Sequence, residues 1–182
     1  MMPGMDIQKI FHLYYKDNPQ LLSCVATHSE CVARKAVASL ERKGIEADLE
    51  FVREAAMLHD IGVVRCDARS IGCLGDLPYI CHGVEGRKML EQLGLPRHAL
   101  VCERHTGSGL TVADIVNQNL PLPHRDMCPV TIEEKAICYA DKFFSKSGNL
   151  TEEKSLERVM KQMEKFGPDS LRRFMELHSL FL

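Results

Sequence analysis

Apolar residues recur at helical spacing along almost the whole chain, whereas sustained alternation of apolar and polar residues is hard to find. This pattern predicts an all-α protein built as a single helical bundle. Glycines, prolines and a loss of periodicity mark two long connections, 62–80 and 106–130, which we expect to be surface loops of functional length. The predicted helices cover 5–16, 19–43, 46–60, 83–93, 96–105, a segment that Thr131 opens, 151–166 and 169–181.

The composition limits the classes to which the chain can belong. Its 182 residues are 45% hydrophobic and 26% charged, which predicts one domain with a sizeable core. The net charge of −2 disfavours an obligate nucleic-acid partner, because no broad basic surface is available for phosphodiester backbones. No apolar run has the roughly 18 residues of a membrane helix and no apolar leader opens the chain. We therefore expect a cytoplasmic protein without a membrane partner.

Candidate chemistry begins with the pair His59-Asp60 at a predicted helix end, where an imidazole and a carboxylate can bind the same cation. On its own, such a pair is usually only a polar helix end. His28, however, falls in the apolar stripe of its helix, and Asp141 lies on an Ala-rich face, where an unpaired polar group costs free energy. His28 could instead bond a backbone carbonyl, and Asp141 could pair with Lys142. A divalent cation would satisfy all of these groups at once.

Taken in order, these residues resemble the HD-domain superfamily of metal-dependent phosphohydrolases, whose pattern is a His, then His-Asp, then a distant Asp on a helical bundle. The chain has His28, the string Leu58-His59-Asp60-Ile61-Gly62, and Tyr139-Ala140-Asp141-Lys142. Two further segments, Cys81-His82-Gly83-Val84-Glu85-Gly86 and Glu103-Arg104-His105-Thr106-Gly107, are similar to the additional histidine segments of the branches that hold two metals.

The resemblance is closest to a small group of stand-alone HD proteins that carry both additional segments, and it covers roughly residues 20–148. It implies an HD domain over 19–148, between helical extensions at 1–18 and 149–182. The last helix is rich in apolar residues. We expect it to pack back on the bundle, with the seam of a homodimer as the alternative.

The resemblance also implies a binuclear site for two divalent transition-metal ions. One metal would be bound by His28, His59, Asp60 and Asp141, and Asp60 would bridge to a second metal bound by His82 and His105. Each of the last two histidines, considered alone, could equally be a structural residue at a helix end. Four imidazoles and two carboxylates suit Fe, Mn, Zn, Co or Ni better than Mg or Ca. A hydroxide activated by the metals would then attack the phosphoester.

The residues that would contact phosphate are harder to predict. In many relatives a Lys or Arg directly follows the His-Asp-x-Gly string, but here Val63 and Val64 follow it and Arg65 is the first cation. We predict Arg65 and Lys142 as the leading contacts, because they lie closest in sequence to the expected ligands, and we predict both as catalytic residues beside Asp60. Further candidates for binding the substrate are Arg69, Arg104 and Arg125.

Together these residues favour a metal-dependent phosphohydrolase, either a phosphomonoesterase or a phosphodiesterase, that acts on a small phosphorylated metabolite or nucleotide. A di-iron oxidative enzyme is the first alternative, since some members of the superfamily activate dioxygen at such a site. A non-catalytic nucleotide-binding sensor module is the second. It ranks last because all six expected ligand positions are filled, whereas degenerate relatives typically lose some of them.

Overall fold

Nine α-helices and one two-stranded antiparallel sheet make up residues 6–182, the part of the chain that this computed structural model describes. The helices are α1 (Ile7–Tyr15), α2 (Pro19–Lys43), α3 (Leu49–Leu58), α4 (His82–Gln92), α5 (Pro96–Arg104), α6 (Val112–Asn117), α7 (Ile132–Asp141), α8 (Leu156–Glu164) and α9 (Pro168–Phe181). The strands are β1 (Asp67–Ala68) and β2 (Cys73–Leu74). The prediction of an all-α fold is confirmed. Within residues 6–182, no helix has both the length and the apolar character that crossing a membrane requires.

Capping side chains explain where the first long helices begin. Asn18 Oδ1 accepts a hydrogen bond from the Leu21 amide at 3.0 Å, and Pro19 takes the first helical position, so α2 starts where the sequence predicts it. The helix expected over 46–60 is shorter in the structure, because Asp48 is the capping residue. Its early end matters for the site, since it leaves His59 and Asp60 at the C-terminal end of α3.

The largest core cluster lies between α2, α3, α7 and the two C-terminal helices. From α9, Phe174, Leu177 and Phe181 are all buried in it, against residues of the bundle such as Tyr139. The last helix therefore packs back on the bundle, and the homodimer stays a prediction. The division of the chain into 1–18, 19–148 and 149–182 also stays a prediction, and residues 1–5 lie outside the described part of the chain.

The predicted loop over 62–80 is more ordered than its sequence suggests. It contains β1 and β2, paired with Asp67 opposite Leu74, and three 3-10 turns, at Ile61–Arg65, Arg69–Ile71 and Tyr79–Cys81. Apolar side chains at irregular spacing are buried under it, including Val63, Cys66 and Cys73. Periodicity does not detect such a segment, because its side chains reach the core from turns and not from one face of a helix.

Gly62 allows the first of these turns to lie directly against α4. A Cβ atom at position 62 would stand 2.0 Å from the His82 carbonyl oxygen and 2.4 Å from the Gly86 amide nitrogen. Both neighbours are backbone atoms that cannot move independently of α4. The absence of a side chain at position 62 therefore allows the turn after Asp60 to lie close to His82.

We expect Gly62→Ala to destabilise the protein by about 3 kcal/mol or more, because the added methyl group must push α4 away. Gly44→Ala is the matched control: a Cβ there meets nothing within 4 Å, so only its positive φ of 62° is strained and the loss should be about 1 kcal/mol. Denaturant unfolding of both variants tests this. Equal losses for the two variants would contradict the close contact.

Candidate metal centre

Four side chains from three helices converge in the interior of the bundle. His28 lies in α2, His59 and Asp60 follow α3, and Asp141 is the last residue of α7. The His28 Nε2 atom lies 2.9 Å from Asp141 Oδ1 and 3.3 Å from Asp60 Oδ2. The His59 Nε2 atom lies 3.1 Å from Asp60 Oδ2 and 3.4 Å from Asp141 Oδ1. All four residues are buried, and one potential ligand atom from each lies within 4.8 Å of the others.

A second group shares Asp60 with the first. His82 Nε2 and His105 Nε2 lie 3.5 and 3.4 Å from Asp60 Oδ1. The two Nε2 atoms are themselves only 3.1 Å apart. The two oxygens of Asp60 thus face two different histidine pairs, Oδ2 toward the first group and Oδ1 toward the second.

Three of the four imidazoles are oriented by the same local contact. The Nδ1 atom of each ring lies within hydrogen-bond distance of the carbonyl oxygen three residues earlier: 2.6 Å for His59 and Ala56, 2.7 Å for His82 and Tyr79, and 2.7 Å for His105 and Cys102. Each of these histidines stands where a helix meets a turn. Carbonyls in the last turn of α3 and α5 lack a partner within the helix, whereas the Tyr79 carbonyl also accepts from the His82 amide. With Nδ1 as the donor, each Nε2 points inward, and in the neutral ring it carries the lone pair that a metal can bind.

His28 is oriented differently, because it lies in the middle of α2. Carbonyl groups there accept bonds from the helix itself, and the His28 Nδ1 atom has no hydrogen-bond partner among the described residues. The surrounding core and the carboxylates of Asp60 and Asp141 are what position this ring.

The buried polar atoms that lack partners test whether a metal fits here. Among residues 6–182, neither oxygen of the fully buried Asp60 has a hydrogen-bond donor, and His59 Nε2 has no partner either. Leaving such groups unsatisfied is costly, most of all for a carboxylate. The facing Nε2 atoms of His82 and His105 would also repel each other if both held lone pairs. A divalent cation satisfies each of these atoms, so the donor set fits metal binding.

Electrostatics in the first group couple the protonation of His59 to the two carboxylates. Burial alone would lower the pKa of His59, but Asp60 and Asp141 outweigh it and raise that pKa to about 9. Burial alone would raise the pKa of Asp60, but His59 and Lys146 hold it well below its ordinary value. Burial has the prevailing effect in the second group, where it lowers the pKa of His82 to about 3 and also lowers that of His105.

Two lysines after α7 contact the carboxylates directly. Lys142 Nζ lies 2.6 Å from Asp141 Oδ2 and donates to the His105 carbonyl at 3.0 Å. Lys146 Nζ lies 2.7 Å from Asp60 Oδ2, at ion-pair distance but outside hydrogen-bond geometry. Sequence reasoning singled out Lys142 and missed Lys146. The available signal was its position only five residues after Asp141.

Tyr15 is a further residue that sequence reasoning missed. Its hydroxyl donates to the Ile61 carbonyl at 3.0 Å, and its ring is fully buried. This bond attaches α1 to the turn that carries Asp60. The N-terminal helix thereby supports the site without contributing a ligand.

A pocket of about 510 Å³ opens onto His82, His105 and Asp141. Its wall carries four cationic side chains, Lys142, Lys146, Lys154 and Arg173, against two carboxylates, Asp114 and Asp141. Apolar residues form much of the remaining wall, among them Tyr79, Leu110, Leu120, Phe144 and Phe166. Such a pocket can hold a small molecule that carries negative charge.

Four of the five candidate contacts for phosphate, all of them arginines, lie away from this pocket, and only Lys142 lines it. Arg65 is exposed and does not line the pocket. Arg104 is paired with Glu134, at 2.9 and 3.0 Å from its two carboxylate oxygens. Arg125 donates from Nε to the buried Glu103 at 3.0 Å. Arg69 is exposed near Asp67. Their placement gives these arginines no contact with the pocket.

Comparison with known families agrees with this geometry. The model of the HD domain family matches residues 25–145, which include all six clustered side chains. The chain belongs to the HD-domain family. It is 33% identical over 156 residues to an uncharacterised protein of Methanocaldococcus jannaschii, a match that covers 85% of this chain and 83% of that protein. No solved structure gives a significant match.

Two longer relatives are named as tRNA (cytidine(56)-2′-O)-methyltransferases. The protein of Picrophilus torridus is 34% identical over 102 residues, which are 56% of this chain and 26% of that protein. The protein of Thermoplasma volcanium is 30% identical over 153 residues, which are 83% of this chain and 40% of that protein. This chain spans less than half of either protein. The methyltransferase activity in their names therefore describes those proteins and not this chain.

In metal-free protein, we expect the His59 ring to keep its second proton at neutral pH and to lose it with a midpoint near pH 9, because the two carboxylates stabilise the imidazolium. Nitrogen chemical shifts of labelled histidines, followed from pH 5 to 10, measure this. The His82 ring, whose pKa is lowered to about 3, serves as the internal reference and should stay neutral throughout. A neutral His59 at pH 7 would contradict the arrangement of charges.

Proposed function

We propose that the protein is a metal-dependent phosphohydrolase, a phosphomonoesterase or phosphodiesterase, acting on a small phosphorylated metabolite or nucleotide. Two divalent transition-metal ions would be bound, one by His28, His59, Asp60 and Asp141 and the other by Asp60, His82 and His105. The combination of imidazole nitrogens with carboxylate oxygens favours Fe, Mn, Zn, Co or Ni over Mg or Ca. When bound, such ions polarise phosphoryl oxygens and make a nucleophile available from water near neutral pH.

The observation that carries this proposal is the position of the pocket. It opens beside the donor cluster and has an excess of cationic over acidic side chains on its wall. Phosphoryl groups carry negative charge that spreads over their oxygens in the transition state, and fixed cations stabilise it. A site that only held a structural metal would not require such a wall. The combination of metal-binding donor atoms with cationic side chains at one pocket therefore supports hydrolysis of a phosphoester.

Lys146 is the residue best placed to contact the phosphoryl group. In many relatives a Lys or Arg directly follows the His-Asp-x-Gly string, whereas this chain has Val63 there, and Lys146 would supply the missing cation. Its side chain is 16% exposed and lines the pocket, with Nζ 2.7 Å from Asp60. Its pKa is raised well above the ordinary value, because Asp60, Tyr79 and Asp141 outweigh the effect of burial, so the amine is charged. Lys142, held by Asp141 and the His105 carbonyl, would mainly position that carboxylate.

The metal content of variants tests whether two metals share Asp60 as a ligand. We expect Asp60→Asn and Asp60→Ala to lower the content of both metals, since a bridging carboxylate is lost, and His82→Ala to lower it by about one equivalent. Elemental analysis of the folded variants measures this, with His124→Ala in an exposed loop as the control. If His82→Ala retains two equivalents, the binuclear assignment is wrong.

Activity is tested with a panel of phosphoesters and protein loaded with Mn, Co, Fe or Ni. Turnover should disappear when a chelator removes the metal. Lys146→Ala should lower kcat/KM by about ten- to a hundred-fold, the typical loss for one charged hydrogen bond. Lys165→Ala, which removes an exposed lysine outside the pocket, is the matched control.

Two other outcomes would contradict the proposal in favour of its alternatives. Iron-dependent consumption of dioxygen without phosphoester turnover would support a di-iron oxidative enzyme. Tight nucleotide binding with no turnover under any metal would support a sensor module.

A further inference from the structure

The C-terminal helices contribute a wall to the pocket, although the family match ends at residue 145. Met163 and Phe166 line it from the end of α8 and the turn that follows, and Ser170 and Arg173 line it from α9. The apolar face of α9 is buried in the main core, which holds this wall in place. What the pocket accepts is therefore determined partly outside the HD domain.

Arg173 is held rigidly in that wall. Its Nη2 atom donates to Asp114 Oδ2 at 2.6 Å and to the Gly109 carbonyl at 3.1 Å, and only 14% of its side chain is exposed. The same Asp114 carboxylate oxygen also accepts from the amide and the hydroxyl of Thr111, at 2.9 Å each. The guanidinium is thus fixed by a carboxylate whose own position is set by the start of α6.

These contacts leave part of the guanidinium unused. Both of its hydrogen bonds to described residues come from Nη2, whose two hydrogens are thereby used. Nη1 donates to none of these residues, and the buried Nε atom has no partner among them either. A buried donor without an acceptor is unfavourable. Because Nε is buried, Nη1, with two charged N–H donors of its own, is the group left to bind a carboxylate or phosphate in the pocket.

The distance from the donor cluster suits a small molecule. The chain from His105 to Gly109 runs along the pocket wall and turns through a hydrogen bond from the Gly109 amide to the Thr106 carbonyl at 3.0 Å. A turn of this kind limits the Cα distance between His105 and Gly109 to about 11 Å. Arg173, which donates to Gly109, is therefore within reach of a substrate whose phosphoryl group lies at the donor cluster.

We propose that Arg173 is a specificity-determining residue that binds a second acidic group on the substrate. The substrate class is then a small phosphoester that carries a further phosphate or carboxylate at its other end, across an apolar middle that contacts Leu110 and Phe166. This inference rests on the proposed function, because it assumes that the phosphoester binds at the donor cluster.

The experiment compares matched aryl substrates on the full chain loaded with Mn²⁺. Phenyl phosphate has one acidic group, 4-carboxyphenyl phosphate adds a carboxylate, and 1,4-phenylene bisphosphate adds a phosphate. Wild-type kcat/KM should favour at least one doubly acidic substrate by about ten-fold or more, and the better one identifies the second group. Arg173→Gln should reduce that preference to near unity, mainly through KM, whereas the exposed neighbour variant Arg172→Gln should retain it.

If Arg173 only holds α9 against α6 and does not contact the substrate, Arg173→Gln should lower all three kcat/KM values equally. That result, or a wild-type protein without any preference, overturns the proposal. If the single variant does not fold, Asp114→Asn combined with Arg173→Gln removes both members of the ion pair and gives the same comparison.

Binding separates this inference from the proposed function. Calorimetry with phenylphosphonate and 4-carboxyphenylphosphonate measures the same preference without turnover. A preference that Arg173→Gln abolishes, in a protein that hydrolyses no phosphoester, supports Arg173 and refutes the phosphohydrolase. Turnover of phosphoesters without any preference for a second acidic group refutes Arg173 alone.

Discussion

The structure depends on one fully buried carboxylate, that of Asp60, whose two oxygens have no hydrogen-bond donor within residues 6–182. A carboxylate in such a place is stable only beside positive charge. Four imidazoles and the Lys146 amine are grouped around this carboxylate. Because Gly62 has no side chain, the turn that follows Asp60 can lie directly against α4. The bundle is arranged around a charge that it does not satisfy by hydrogen bonding, and a divalent cation fits that arrangement.

Helix ends are well suited to build this cluster. A carbonyl in the last turn has no partner within its helix, so a histidine three residues later can orient its ring by donating to that carbonyl. His59 and His105 use this contact at the ends of α3 and α5, and His82 uses it after a 3-10 turn. The histidine at the centre of α2 has no such contact, and packing must orient it. Three rings are thus placed by local bonding, and the fourth depends on the assembled core.

The pocket is formed by the segment that matches the HD family together with residues that follow this segment. The donor cluster lies entirely within the segment that matches the HD family, whereas Lys146, Lys154, Phe166 and Arg173 lie after it. The lining of the pocket is therefore built partly by the HD domain and partly by the residues that follow it. The N-terminal helix has a supporting role, because Tyr15 holds the turn that carries Asp60.

The resemblance to the HD family supplied the grouping of the six clustered side chains, and the sequence alone was sufficient for the helices, because helical periodicity is a local property of the chain. It was not sufficient for the cationic wall. Arg65 lies next to the motif but points to solvent, and Arg104 is neutralised by Glu134, thirty residues away. Lys146 and Arg173 instead reach the pocket through the packing of α7 and α9. Which charged side chains line the pocket depends on how the helices pack against one another, and only the tertiary structure decides that packing.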